Sequence, residues 1–304
     1  MRILVLGCEN LIGTALFPLL AQRKYDIWVI VQDKESQENF QRYGAHTILA
    51  DPSENGSWID QLPLELDYIV NLLHPSISAR VSLKALENKI GEYMLQVTKN
   101  LTYIAKSRKV KRILQLANIF YYATRGETKV SEKSTRDIDP QNYGMLYKSA
   151  ITHLLGNKEV NTTLLITGHF IYTSKGETFP EVPTLFETMY VKVDDANNYV
   201  QLSHCEDVVG AIDHLLAHEL DLPFVNIVDD QPITQKQWIE ILSHIKKVPT
   251  TISLPISFAS FLMGDTYSQS VIQPIQAKNE LLRSTGYWLK FPNYRAGFSS
   301  ELMQ

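Results

Sequence analysis

Short apolar runs alternate with longer amphipathic stretches along most of this chain, and that rhythm predicts its elements. Ile3 to Leu6 is an uninterrupted apolar run and reads as a strand buried on both faces. Leu11 to Gln22 follows as a helix with Leu16, Leu19 and Leu20 on one side. Further strands are predicted at Asp26 to Val31, His46 to Ala50, Leu66 to Leu73, Arg112 to Leu116, Thr162 to Thr167 and Val225 to Val228. Helices are predicted from about Ser82 to Ser107 and from about Tyr143 to Leu155. Thr234 to Gln237 fits a capping box that opens a helix over Gln235 to Ile245. Such alternation implies an α/β fold, a doubly wound parallel sheet of the Rossmann type with right-handed crossovers. After Thr167 the pattern loosens around Pro180 and Pro183. Residues 1–167 plus 201–231 are therefore expected to form the sheet domain, and residues 168–200 plus 232–304 a smaller cap subdomain.

The first turn carries the most specific chemistry. Gly7 ends the first strand and Gly13 follows at the head of the first helix. This is the geometry of a dinucleotide-binding turn: Gly7 permits a tight reversal, Gly13 permits close packing of helix on sheet, and amides at the helix start face a pyrophosphate. The middle glycine of that pattern is replaced by Asn10. Asparagine tolerates positive φ, so the turn can survive, with its side chain either on a phosphate or in its path. Glu9 is less welcome beside a diphosphate unless it faces solvent. Asp33, at the end of the second strand, is placed to bond a ribose 2′-hydroxyl, or is an ordinary solvated loop charge. No arginine closely follows that strand to hold a 2′-phosphate, which favours NAD mildly over NADP.

Composition sets limits on the rest. The chain has 304 residues, 44% hydrophobic and 20% charged, enough for a full α/β core. Its formal charge of -4 gives no general support for nucleic-acid binding. Two cysteines, Cys8 and Cys205, suit a reducing cytosol and exclude a disulfide framework. The longest apolar stretch, Ile252 to Met263, is too short to span a bilayer, and no leader precedes the first strand, so a cytoplasmic protein is expected. Cys8 sits at a helix start, which can activate a thiol, but a small buried turn residue is the plainer reading. His204 and Cys205 lack further ligands at metal spacing, so no metal is expected. His204 is expected to bond within the subdomain junction and Asp207 to cap a helix from Val208.

These segments together resemble the extended short-chain dehydrogenase/reductase family, which includes nucleotide-sugar epimerases and dehydratases. Gly7-Cys-Glu-Asn-Leu-Ile-Gly13 stands where that family has Gly-x-x-Gly-Phe-Ile-Gly. Gly44 to Asp51 resembles its third strand, whose final Asp usually contacts adenine. Ser203 to Val209 and Phe291 to Phe298 resemble its later motifs. The resemblance implies an NAD or NADP cofactor held by Gly7, Asn10, Leu11, Ile12, Gly13, Asp33, Asp51, Leu72 and Leu73. It also implies a small-molecule substrate in the cleft under the cap.

The resemblance breaks at the catalytic residues. That family uses a Tyr-x-x-x-Lys pair, whose lysine lowers the tyrosine pKa from about 10 so that the phenolate acts as a base. Here Tyr143 is followed by Lys148, five residues later, and a helix turns about 100° per residue. A π-bulge could restore the register, or the extra residue marks lost catalysis. Asn118 stands at the family's Ser/Thr position and lacks the hydroxyl that relays a proton. Thr167 replaces a common arginine, and Leu73, His74 and Pro75 replace small residues beside the cofactor. Basic residues of the cap (Lys175, Lys192, Lys278, Arg283, Lys290, Arg295) are scattered, so a nucleotide diphosphate substrate is not demanded. Two readings remain open: an enzyme with Tyr143 as base, Lys148 as anchor and Asn118 as positioner, or a silent dinucleotide sensor or scaffold. The amphipathic stretch Ala85 to Ala105 could pair two copies about a two-fold axis, as the family often does, or simply cover the sheet.

Overall fold

A computed structural model describes residues 1–74, 83–122, 128–133, 144–182, 184–185, 189–248, 250–263, 268 and 271–298. Seven strands form its central sheet: β1 (Arg2–Leu6), β2 (Asp26–Val31), β3 (His46–Leu49), β4 (Tyr68–Asn71), β5 (Arg112–Asn118), β6 (Thr162–Thr167) and β7 (Phe224–Ile227). Their order is β7-β6-β5-β4-β1-β2-β3, and every pairing is parallel. This is the doubly wound α/β fold that the alternating pattern predicts.

The β1 run shows why it has no polar face. Ile3 and Val5 point into one core layer, while Leu4 and Leu6 point into the other. Alternation along a strand sends successive side chains to opposite faces, so a strand covered on both sides must be apolar throughout. One face is covered by α1 (Leu11–Gln22), α2 (Lys34–Arg42) and α5 (Cys205–Ala217), the other by α3 (Leu83–Ser107) and α4 (Met145–Gly156). The α2 helix is absent from the sequence-based reading. Its single buried apolar residue, Phe40, leaves too little pattern to see.

A second core gathers around Trp238, which is fully buried on α6 (Gln235–Ile245). The predicted capping box is present: Thr234 Oγ1 accepts from the Gln237 amide, and Gln237 Oε1 accepts from the Thr234 amide. The apolar stretch Ile252 to Met263 divides into the end of a strand (Thr250–Leu254) and a short helix, α7 (Ile256–Met263). No helix among the described residues is long and apolar enough to cross a membrane.

The α5 helix corrects one expectation. It starts at Cys205, not Val208, and its N-cap is His204, whose Nδ1 accepts from the Glu206 amide at 3.3 Å. Asp207 instead reaches the C-terminal segment, accepting from the Lys290 amide at 2.6 Å and the Phe291 amide at 2.9 Å. These partners lie more than eighty residues away, out of reach of a local capping rule.

Candidate functional site

The turn after β1 is built as its glycines require. Gly7 has φ +74°, and a Cβ there would lie 2.8 Å from the Leu72 carbonyl carbon and the Leu73 nitrogen. At Gly13 a Cβ would lie 2.4 Å from Cys8 Cα. Both positions exclude a side chain, one by backbone conformation and contact, the other by contact alone. Cys8 is fully enclosed, and burial pushes its thiol well above the ordinary range, so it is an inert turn residue.

Asn10 does not adopt the positive φ that the sequence allowed. It is extended, with φ -80° and ψ 172°, and serves as the N-cap of α1. Its Oδ1 accepts from the Ile12 amide at 3.0 Å and the Gly13 amide at 2.9 Å. Its Nδ2 donates to the Leu72 carbonyl at 2.8 Å. Asparagine is among the best N-caps, and such a cap contributes about 1 kcal/mol. Leu11 opens the helix, and its carbonyl accepts a long 3.6 Å bond from the Cys205 thiol.

Beside this turn, at the C-terminal ends of β1, β2 and β4, lies a cleft of about 450 Å³. Its lining includes Gly7, Glu9, Gln32, Asp33, Asp51 and Tyr93. Leu73 also lines it, whereas Asn10, Leu11, Ile12, Gly13 and Leu72 do not. Asp33 is the N-cap of α2: Oδ1 accepts from the Ser36 amide and Oδ2 from the Ser36 hydroxyl, both at 2.8 Å, and these bonds lower its pKa. Asp51 Oδ1 accepts from the Ser53 amide and hydroxyl. A carboxylate offers about four acceptor positions, so both acids keep capacity for a ligand. Glu9 is raised from its ordinary value, by desolvation first and by the Asp33 charge last.

Tyr93 and Gln32 are functional candidates that sequence reasoning missed. Gln32 Nε2 donates to the Tyr93 hydroxyl at 2.9 Å, and burial pushes the phenol up to about 12, so it is a neutral wall of the cleft. Tyr93 belongs to the same α3 side as Val97, Leu101 and Ile104, which pack on the sheet. That spacing is visible in the sequence, but not that its upper end reaches the cleft.

Two of the three predicted catalytic residues, Asn118 and Lys148, are among the described residues. Tyr143 lies outside the described residues, as does Pro75. Asn118 is buried at the end of β5 with both ends of its amide engaged. Its Nδ2 donates to the Gly168 carbonyl at 2.7 Å, and its Oδ1 accepts from the Phe120 amide at 3.1 Å. Asn118 thus braces the strand ends. Thr167, in the arginine position, donates to the Ala117 carbonyl at 3.1 Å. Tyr122 donates to Asn226 Oδ1 at 2.7 Å within the core.

The inward position of α4 belongs to Tyr147. It lies four residues after Tyr143, is 3% exposed, and its hydroxyl donates to the Asn118 carbonyl at 3.2 Å. The rings of His74 and Tyr121 lie 6.0 and 6.5 Å from it. Lys148 is one residue on and only partly buried, whereas the buried face of α4 is Leu146, Tyr147, Ala150, Ile151 and Leu154. The α4 helix runs over Met145–Gly156, and the residues before it that hold Tyr143 lie outside the described ones. The residue four positions after Tyr143 is therefore a phenol on the inward face, and the lysine stands about 100° further round.

His204 Nε2 lies 3.1 Å from Ser174 Oγ. Burial lowers its pKa to about 4.

The NAD dependent epimerase/dehydratase family model matches residues 3–227. Among solved structures, a dTDP-glucose 4,6-dehydratase from Streptomyces venezuelae with NAD and TYD bound superposes with a TM-score of 0.75 at 16% identity, covering 98% of this chain and 94% of that one. A human epimerase family protein with NADPH gives a TM-score of 0.70 at 17% identity over 98% and 97%. A conserved protein of unknown function from Silicibacter pomeroyi gives 0.71 at 17% over 99% and 98%. A search of curated protein sequences finds no match. Strand order, glycine turn and family match agree, and the chain belongs to the NAD-dependent epimerase/dehydratase family.

Proposed function

We propose that this chain binds NAD in the cleft beside Gly7 and acts on a small molecule under the cap, with the family's tyrosine-lysine proton transfer impaired. The carrying observation is the cleft itself, at the C-terminal edge of a doubly wound sheet beside a glycine turn, with carboxylates from the ends of two strands. Asp33 and Asp51 suit ribose hydroxyls. Among the described residues, Glu9, Asp33 and Asp51 line the cleft without a lysine or arginine, and three carboxylates oppose a 2′-phosphate. That supports NAD over NADP.

When bound, NAD would supply hydride acceptance and return. The chain's own part is less well equipped. Residue 147, four after Tyr143, is a tyrosine, so the family's Tyr-x-x-x-Lys register is not kept. This favours a second reading, a catalytically silent relative that binds the dinucleotide and reports on it. Two copies pairing through α3, and residence in the cytoplasm, are compatible with either reading.

Calorimetric titration with NAD⁺, NADH, NADP⁺ and NADPH tests the binding. NAD forms are expected to bind about tenfold more tightly than NADP forms. Asp33→Asn, which keeps a capping side chain, should narrow that ratio. No binding of any of the four would remove both readings. Turnover of a nucleotide-sugar panel, with Tyr143→Phe as control, separates them: activity lost in the variant identifies an enzyme.

A further inference from the structure

The Asn10 side chain spans the strip between the start of α1 and the end of β4. Its Oδ1 already holds the Ile12 and Gly13 amides, and its Nδ2 is tethered to the Leu72 carbonyl. A helix N-terminus binds a phosphate through its unsatisfied amides and the positive end of its dipole. Here two of those first-turn amides are satisfied from within the chain. The side chain that satisfies them stands where the family pattern has a glycine with no side chain at all. Among the described residues the adjoining lining adds Glu9, Asp33 and Asp51 and no cation, and these carboxylates also oppose a dianionic group. The adenosine part of a ligand meets neither obstacle. It needs the apolar wall of Ile30, Pro52, Leu73 and Tyr93 together with acceptors for its ribose.

We infer that Asn10 is a specificity-determining residue that stands in for the diphosphate, so that this cleft holds a diphosphate-free adenine nucleoside about as tightly as a dinucleotide. The inference rests on the reading of the cleft as an adenosine site. A diphosphate must displace the Asn10 amide from Ile12 and Gly13 before it can use their donors. The gain from its charge-assisted bonds is offset by the cap that it breaks.

The test is calorimetric titration of the full chain with adenosine and with ADP-ribose, for the wild type, Asn10→Gly and Asn10→Asp. Glycine frees both amides and is tolerated at an N-cap; aspartate keeps the cap and adds a charge. In the wild type the two ligands should bind within about threefold of each other. Asn10→Gly should tighten ADP-ribose by at least about tenfold, equivalent to about 1.4 kcal/mol, and leave adenosine unchanged. Asn10→Asp should weaken ADP-ribose alone, and it decides the matter if the glycine variant does not fold. The inference is overturned if wild-type protein binds ADP-ribose at least about tenfold more tightly than adenosine, or if ADP-ribose responds to neither substitution. In both of those cases adenosine and ADP-ribose still bind, so the cleft reading survives. If neither ligand binds any of the three proteins, the cleft reading fails and the inference with it.

Discussion

Gly13→Ala should destabilise the protein by about 3 kcal/mol, because the added methyl meets backbone that cannot rotate away. A Cβ at this position would lie 2.4 Å from Cys8 Cα, 2.5 Å from its carbonyl oxygen and 2.6 Å from its carbonyl carbon. Carbon atoms pack at roughly 3.5–4.0 Å, so the turn must retreat by about 1 Å. Overpacking of a close contact costs roughly 1–3 kcal/mol, and rigid neighbours put this case at the upper end. Retreat also stretches the bonds from the Ile12 and Gly13 amides to Asn10, a cap worth about 1 kcal/mol. Alanine's better helix propensity returns about 1 kcal/mol. The net cost of about 3 kcal/mol corresponds to a fall in Tm of roughly 5 °C for a chain of 304 residues. Urea unfolding and thermal melting followed by circular dichroism would measure it. Gly156→Ala is the matched control: it ends α4, has nothing within 4 Å of its Cβ, and should be neutral or up to about 1 kcal/mol more stable. A Gly13→Ala protein within about 0.5 kcal/mol of the wild type would refute the close-approach argument.

Three further outcomes are expected. Asp229 is buried, accepts from the Tyr172 hydroxyl at 3.1 Å, and burial raises its pKa to about 8. Its contribution to stability is full below the unfolded pKa near 4 and is lost as pH rises through about 8, at up to about 1.4 kcal/mol per pH unit between them. Urea midpoints should therefore fall from pH 6.5 to 8 in the wild type, and Asp229→Asn should remove most of that slope; an unchanged slope would sink the assignment. His169 and His204, lowered by burial to about 4, contribute stability that is present above about 6.5 and lost as pH falls toward 4, so acid unfolding should shift to lower pH in His169→Gln if that residue carries it. Asp207→Ala strands the Lys290 and Phe291 amides and should cost about 2–3 kcal/mol, read by the same urea unfolding, with release of the C-terminal segment visible as faster amide exchange there.

Much of the fold is legible in the chain because its signals are local. The strand at Thr162–Thr167 and the helices at Leu11–Gln22 and Gln235–Ile245 have the bounds that apolar spacing and capping residues predict. The α2 helix escaped because its one buried residue makes no period, and the role of Asp207 escaped because its partners are remote in sequence. The candidate site was legible only as a set of residue types. Gly7, Asp33, Asp51 and Leu73 do line one cleft, but Gln32 and Tyr93 complete it, and Tyr147 rather than Lys148 faces inward.

The sequence by itself determined that this chain alternates strands and helices, that its first turn needs two glycines, and to which family its motifs belong. Those properties follow from periodicity and from sterics within a few residues. Only the tertiary structure decided which polar groups are still available. Asn10 spends its amide on Leu72, sixty-two residues away, and Asn118 spends its own on Gly168, fifty residues away. A hydrogen bond needs its partner within about 3 Å, and folding, not spacing along the chain, sets that distance.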